Sequence, residues 1–125
     1  MTDAIRRIAE KYRWRPEFDA VPEIGVHSRG SDGDGLIHYA SADGAAEDVL
    51  ALLSAGADVN MVGDIGNTPL QYAAMRGRNA VVQILLDNGA DPSATNAFGD
   101  TAASWASSCG HPETAALLLR WRRPE

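Results

Sequence analysis

Three histidines, a single cysteine and one glycine-rich stretch are the residues whose types could do chemistry in this 125-residue chain. A metal centre needs several His, Cys or carboxylate ligands at fixed spacing, and His27 has no such companion. Cys109 lacks a His or Asp at the spacing that would activate a thiolate, so a partly exposed, unreactive thiol is expected. As the only cysteine it also excludes an intramolecular disulfide. The stretch "GSDGDG" at 30–35 has the glycines of a phosphate loop but not its Lys and Ser/Thr. Its Asp32 and Asp34 suggest calcium, yet a tight turn through Gly33 accounts for them without a metal. The expectation is a protein with no catalytic residues, no metal and no cofactor.

Charge narrows the class of partner. Residues 1–15 carry five Arg/Lys against Asp3 and Glu10, and residues 111–125 are also slightly basic. Between them, residues 16–110 carry thirteen Asp/Glu against only Arg29, Arg76 and Arg78. An acidic middle repels phosphates, so nucleic acid is not the expected ligand, and a protein with a basic surface is. No apolar run approaches the roughly 20 residues of a membrane span. The start, "MTDAIRRIAEKYRW", lacks the apolar core of a secretory signal. The expected compartment is the cytoplasm, with no membrane partner.

The elements that carry these residues repeat. Gly44, Gly77 and Gly110 fall 33 residues apart, as do Gly33, Gly66 and Gly99. Tyr39, Tyr72 and Trp105 keep the same period, and so do Ala40, Ala73 and Ala106. Leu52, Leu85 and Leu118 recur likewise, with Leu53, Leu86 and Leu119 beside them, and "GAD" at 56–58 returns at 89–91. Self-similarity at such a period means stacked supersecondary units, none able to bury its apolar face alone. "GNTPLQYAAMRG" (66–77) is the clearest unit. Thr68 can cap a helix, Pro69 suits its first position, and Gly77 suits the left-handed residue after its end. Its Ala73-Ala74 pair makes sense if another backbone comes close. Val82, Leu85 and Leu86 form a second, apolar helix face, matched by Val49, Leu52 and Leu53 and by Ala115, Leu118 and Leu119.

These residues closely resemble ankyrin repeats. "GNTPLQYAAMRGRNAVVQILLDNGADPSA" is a nearly complete unit, with Gln71 where the family usually has His. The first unit keeps His38 but has Gly35-Leu36 for Thr-Pro, and the third keeps Thr101 and the "GH" of Gly110-His111 but has Ala102-Ala103 for Pro-Leu. The resemblance implies an all-α solenoid, each repeat a β-turn finger, a short helix A and a longer helix B. The implied segments are a capping helix and connector at 1–29 and repeats at 30–62, 63–95 and 96–125. Three repeats are near the minimum for stability, so the ends need help. At the N-terminus, Ile5, Ile8, Ala9 and Tyr12 form one stripe of a helix over 3–14, which Thr2 could cap and Pro16 would end. An extended connection, "PEFDAVPEIGVHSRG", then leads to the first finger. At the other end, Arg120, Arg122 and Arg123 fall in the last helical turn, where they favour the negative terminus. By the same resemblance His38 and His111 are structural.

What remains is a binding surface. The resemblance places partner contacts on the finger tips and the concave side of helix A. Carried over by position, the finger residues are Ser31, Asp32 and Asp34; Asp64, Ile65 and Asn67; and Ala97, Phe98 and Asp100. The helix A face carries Tyr39, Ala42 and Asp43, then Tyr72, Met75 and Arg76, then Trp105, Ser108 and Cys109. A ladder of aromatics beside a row of aspartates suits a basic protein partner, with the rings either open to it or partly packed between repeats. The short form is similar to single-domain bacterial ankyrin proteins, some of which are thought to be immunity proteins that block a toxin. A regulatory or chaperone-like adaptor for a cellular enzyme is the alternative. A monomer is slightly favoured.

Overall fold

The computed structural model describes residues 3–21 and 23–122. Among them are seven α-helices: α1 (Asp3–Tyr12), α2 (Leu36–Asp43), α3 (Ala46–Ser54), α4 (Pro69–Met75), α5 (Asn79–Asp87), α6 (Ala102–Ser108) and α7 (Pro112–Arg120). They stack in two layers. The short helices α2, α4 and α6 pack side by side, the longer α3, α5 and α7 form a second row behind them, and α1 packs on α2 and α3. The result is the expected all-helical solenoid.

Local sequence explains each helix pair. Thr68 and Gln71 cap α4 reciprocally, the Gln71 N–H donating to Thr68 Oγ1 and the Thr68 N–H to Gln71 Oε1. Thr101 and Ser104 do the same for α6. Helix α4 ends at Gly77, whose φ of 68° is the left-handed conformation that a side chain disfavours. The Arg78 N–H then reaches back to the Ala73 carbonyl and closes the turn. Ala40, Ala73 and Ala106 have no exposed surface at all, as the middle of a helix must where the next one stacks on it.

Each finger is a tight loop closed by one repeated bond: Gly30 N–H to Asp34 O, Gly63 N–H to Asn67 O, and Asn96 N–H to Asp100 O. The Ser31 N–H ties the first finger to Glu17 O of the connector, and neighbouring fingers are tied by the Asp64 N–H to Asp34 Oδ1 and the Ala97 N–H to Ile65 O.

The N-terminal helix covers the first pair with the predicted stripe, Ile5, Ile8, Ala9 and Tyr12 all being buried. Four expectations change in this part and at the far end. Helix α1 stops at Tyr12, and Pro16 instead opens a 3-10 turn over Pro16–Phe18. The connector is therefore not simply extended: Phe18 and Ile24 leave the surface and plug the gap between α1 and the first pair. Leu119 is 67% exposed rather than on the buried face, because no helix pair beyond α7 stacks against it among the described residues. Arg122 lies beyond the end of α7, although its guanidinium still donates to the Leu119 and Trp121 carbonyls. Thr2 and Arg123 lie outside the described residues.

Candidate functional site

The chemistry-bearing residues sort first into those used by the scaffold. Gly35 N–H donates to His38 Nδ1 at 2.9 Å, so the ring proton sits on Nε2, which faces the Met61 carbonyl at 2.8 Å and that of Asn67 at 3.2 Å. Burial lowers the His38 pKa, and a neutral ring is what this network requires. Gln71 copies the arrangement one period later, its Nε2 donating to Ala94 O and Asp100 O. His111 precedes α7 and lies against Gly77. Cys109 is exposed at the end of α6. Among the described residues no group of His, Cys, Asp and Glu is arranged to hold a metal ion.

The concave side of α2 and α4 holds a cleft of about 350 Å³. Its walls carry the carboxylates of Glu17, Asp32, Asp34, Asp43 and Asp64 against two guanidinium groups, Arg15 and Arg76. Tyr39 and Tyr72 form its floor with Met75 beside them. Both rings are fixed by their hydroxyls. Tyr39 donates to Asp32 Oδ2 at 2.7 Å and Tyr72 to Asp34 Oδ2 at 2.8 Å, while Tyr12 donates to Asp43 Oδ2 at 2.6 Å. Burial, then the carboxylate partner, pushes all three phenols well above their ordinary pKa, so they remain donors. Burial also raises the Asp34 carboxyl, against the opposing pull of the Asp64 N–H, the Tyr72 hydroxyl and His38.

Thirteen residues were predicted for this surface, and they divide by exposure. Asp43, Asp64, Ile65, Arg76 and Phe98 are exposed, whereas Asp32, Tyr72, Met75, Asp100 and Trp105 are half-buried. Tyr72 and Trp105 lie 6.4 Å apart between centroids, so part of the expected ladder exists. Phe98, 72% exposed, and Ile65 sit at the same register of adjacent finger tips. Ile65 has φ 58°, an outlier for a β-branched side chain.

Three others depart from the expectation. Asp34 is buried because it bonds the next finger and Tyr72. Asn67 is buried because its Oδ1 accepts from Asn96 Nδ2 and its carbonyl faces His38. Tyr39 is roofed by the N-terminal segment: Tyr12 stacks on it at 5.6 Å, Phe18 meets it edge-on, and Arg15 lies over its ring. These are scaffold residues.

Arg15 and Glu17 were missed as cleft residues. They come from the connector, outside the period, and no spacing in the sequence brings them to a helix 20 residues downstream. The Tyr–carboxylate pairs were missed for a similar reason, since each joins different elements or an element and a loop.

Residues 32–123 match the family model of ankyrin repeats, in three copies. A search of the curated proteins returns no match for the chain. No helix among the described residues is long and apolar enough to cross a membrane.

Proposed function

Because the chain belongs to the ankyrin-repeat family, whose members are generally protein–protein interaction modules, we propose that it binds a basic protein through its concave face and finger tips. One observation carries this reading. Tyr72 lines the acidic cleft and lies 6.4 Å from the half-buried Trp105, while the finger tips expose Ile65 and Phe98. Aromatic anchors next to acidic groups combine contact energy with steering of a cationic partner. Such a surface suits an inhibitor that covers a basic protein, and within that reading the chain is an immunity protein against a basic toxin. It works without a cofactor, in the cytoplasm and as a monomer.

A photo-crosslinking residue at Phe98, compared with one at exposed Gln83 on α5, tests the proposal in extract of the native host. Capture at position 98 of a basic protein, competed by the unmodified chain, is the expected result. Capture only from position 83 would overturn the reading, because the convex side would then be the binding surface.

A further inference from the structure

The capping segment displays which group this concave face holds. Tyr39 and Tyr72 occupy the same register of successive helix pairs, and each ring is tethered through its hydroxyl to a finger carboxylate. Over Tyr39 the chain places its own Arg15, the guanidinium carbon 4.0 Å from the ring centroid. The Glu17 carboxylate flanks that guanidinium, with Oε2 3.7 Å from Nε. Among the described residues the cation–ring contacts fall on Tyr12, Trp14 and Tyr39, whereas Tyr72 is half-buried and lines the same cleft, with the exposed Arg76 one turn further on at the end of α4. Exposed Asp64 stands on the cleft wall there, and Trp105 continues the aromatic surface.

We propose that the Tyr72 half of the cleft receives an arginine side chain of the partner, stacked on Tyr72 as Arg15 stacks on Tyr39. This deepens the reading of the concave face as the binding surface and rests on it. Arginine fits better than lysine for a geometric reason. A planar guanidinium can lie flat on a ring while its edge donates to a carboxylate, whereas an ammonium is a compact, strongly hydrated charge. Met75 provides an apolar wall for the side-chain stem.

The test uses the full chain and three probes: acetylated, amidated tripeptides of arginine, lysine and citrulline. Two-dimensional NMR separates the indole N–H signals of Trp14, Trp105 and Trp121. The arginine peptide should shift Trp105 saturably and leave Trp121 in place. The lysine peptide should bind about fivefold more weakly or worse, matching the loss of one stacking contact. Citrulline, planar but neutral, should bind more weakly still. Tyr72→Leu, with its fold verified by circular dichroism, should lose the arginine preference, and Asp64→Asn should weaken binding.

Equal affinity for arginine and lysine, or a Tyr72→Leu variant that binds as well as the parent, would overturn the proposal in favour of diffuse charge attraction. Self-association of the chain that Tyr72→Leu abolishes would overturn it too, since a second copy would then fill the cleft. If position 98 captures a basic protein while the cleft shows no arginine preference, this inference fails and the binding reading stands. Capture only from position 83 removes the reading and this inference together.

Discussion

The second and third helix pairs have nearly the same register but different neighbours, and their differences show what a following repeat demands. Gln71 in the second pair has two arms: one caps α4, and the other bonds the Ala94 carbonyl at the end of its own unit and the Asp100 carbonyl of the next. Ser104 in the third keeps only the cap, bonding Thr101 and Asp100 within its own unit. Leu86 is buried where α5 meets α7, and the equivalent Leu119 is 67% exposed, no further helix pair following among the described residues. The N-terminal end is different again. There a segment outside the repeat covers the first pair, burying Ile5, Ile8, Tyr12 and Phe18. Among the described residues the first pair is thus covered by a dedicated cap, and the outer face of the third pair is not covered.

Removing the cap gives the largest expected effect. Deleting residues 1–15 uncovers Tyr39 and the face of α2 and α3 and discards three large buried side chains. At about 1.5–3 kcal/mol for each, the loss is several kcal/mol, a major share of the 5–15 kcal/mol typical of a domain. Urea unfolding should lose most of its midpoint or its cooperativity. A midpoint unchanged by the deletion would mean that α1 is an ornament rather than a cap.

The equivalent leucines test the uncovered face. Leu86→Ala should cost about 2–4 kcal/mol through the cavity it leaves, and Leu119→Ala no more than about 0.5 kcal/mol. Similar losses at the two positions would show that something covers α7 in solution.

Glycines sharpen the comparison further. Gly77 and Gly110 have φ of 68° and 82°, so a valine strains either turn by about 1–3 kcal/mol. An added Cβ at Gly77 would also come within 2.7 Å of His111 Nδ1, whereas at Gly110 nothing lies within 4 Å. Gly77→Val should therefore melt below Gly110→Val, and the gap measures the packing contributed by the following unit. Equal melting temperatures would assign the whole effect to backbone strain.

The fold was largely legible in the sequence because its determinants are local or periodic. Thr-Pro at 68–69, glycine after each short helix and the leucine spacing each fix an element within a few residues. The cap was legible too, since Ile5, Ile8, Ala9 and Tyr12 keep helical spacing. What escaped depends on meetings between distant residues. Phe18 and Ile24 are lone apolar residues in a polar connector, with no period to mark them as core. Arg15 looked like one more basic residue of the N-terminal segment until the turn at Pro16–Phe18 brought it over Tyr39. Asp34 and Asn67 were placed among the finger contacts because their positions in the repeat correspond to the finger. Their burial follows from bonds to Asp64, Tyr72 and Asn96, which no spacing announces.

The smallest expected effect sets the first joint against the second through His38 and Gln71. Both side chains accept a bond from the capping residue's N–H and donate to one carbonyl at the end of their own unit and one in the next finger, but only the histidine titrates. A proton on Nδ1 would displace the Gly35 N–H, and burial holds the folded-state pKa below the ordinary value. The unfolded chain therefore binds this proton more readily. Stability is full above the unfolded pKa of about 6.5 and falls as the pH drops from there toward the lower folded value. The other groups facing the ring are Asp34, whose Oδ1 is 4.0 Å from Nδ1, the Arg29 charge, and the Tyr72 ring edge. Asp34 acts in the opposite sense, since its raised pKa makes the folded state take up a proton first as acid is added. His38→Gln removes the histidine contribution and imports the solution already used at the second joint. Its stability should lie close to the parent's at pH 7.5 and exceed it increasingly as the pH falls below about 6.5, read from urea unfolding at both pH 7.5 and pH 5. A difference that does not grow on acidification would mean that the first joint opens around a protonated ring without cost.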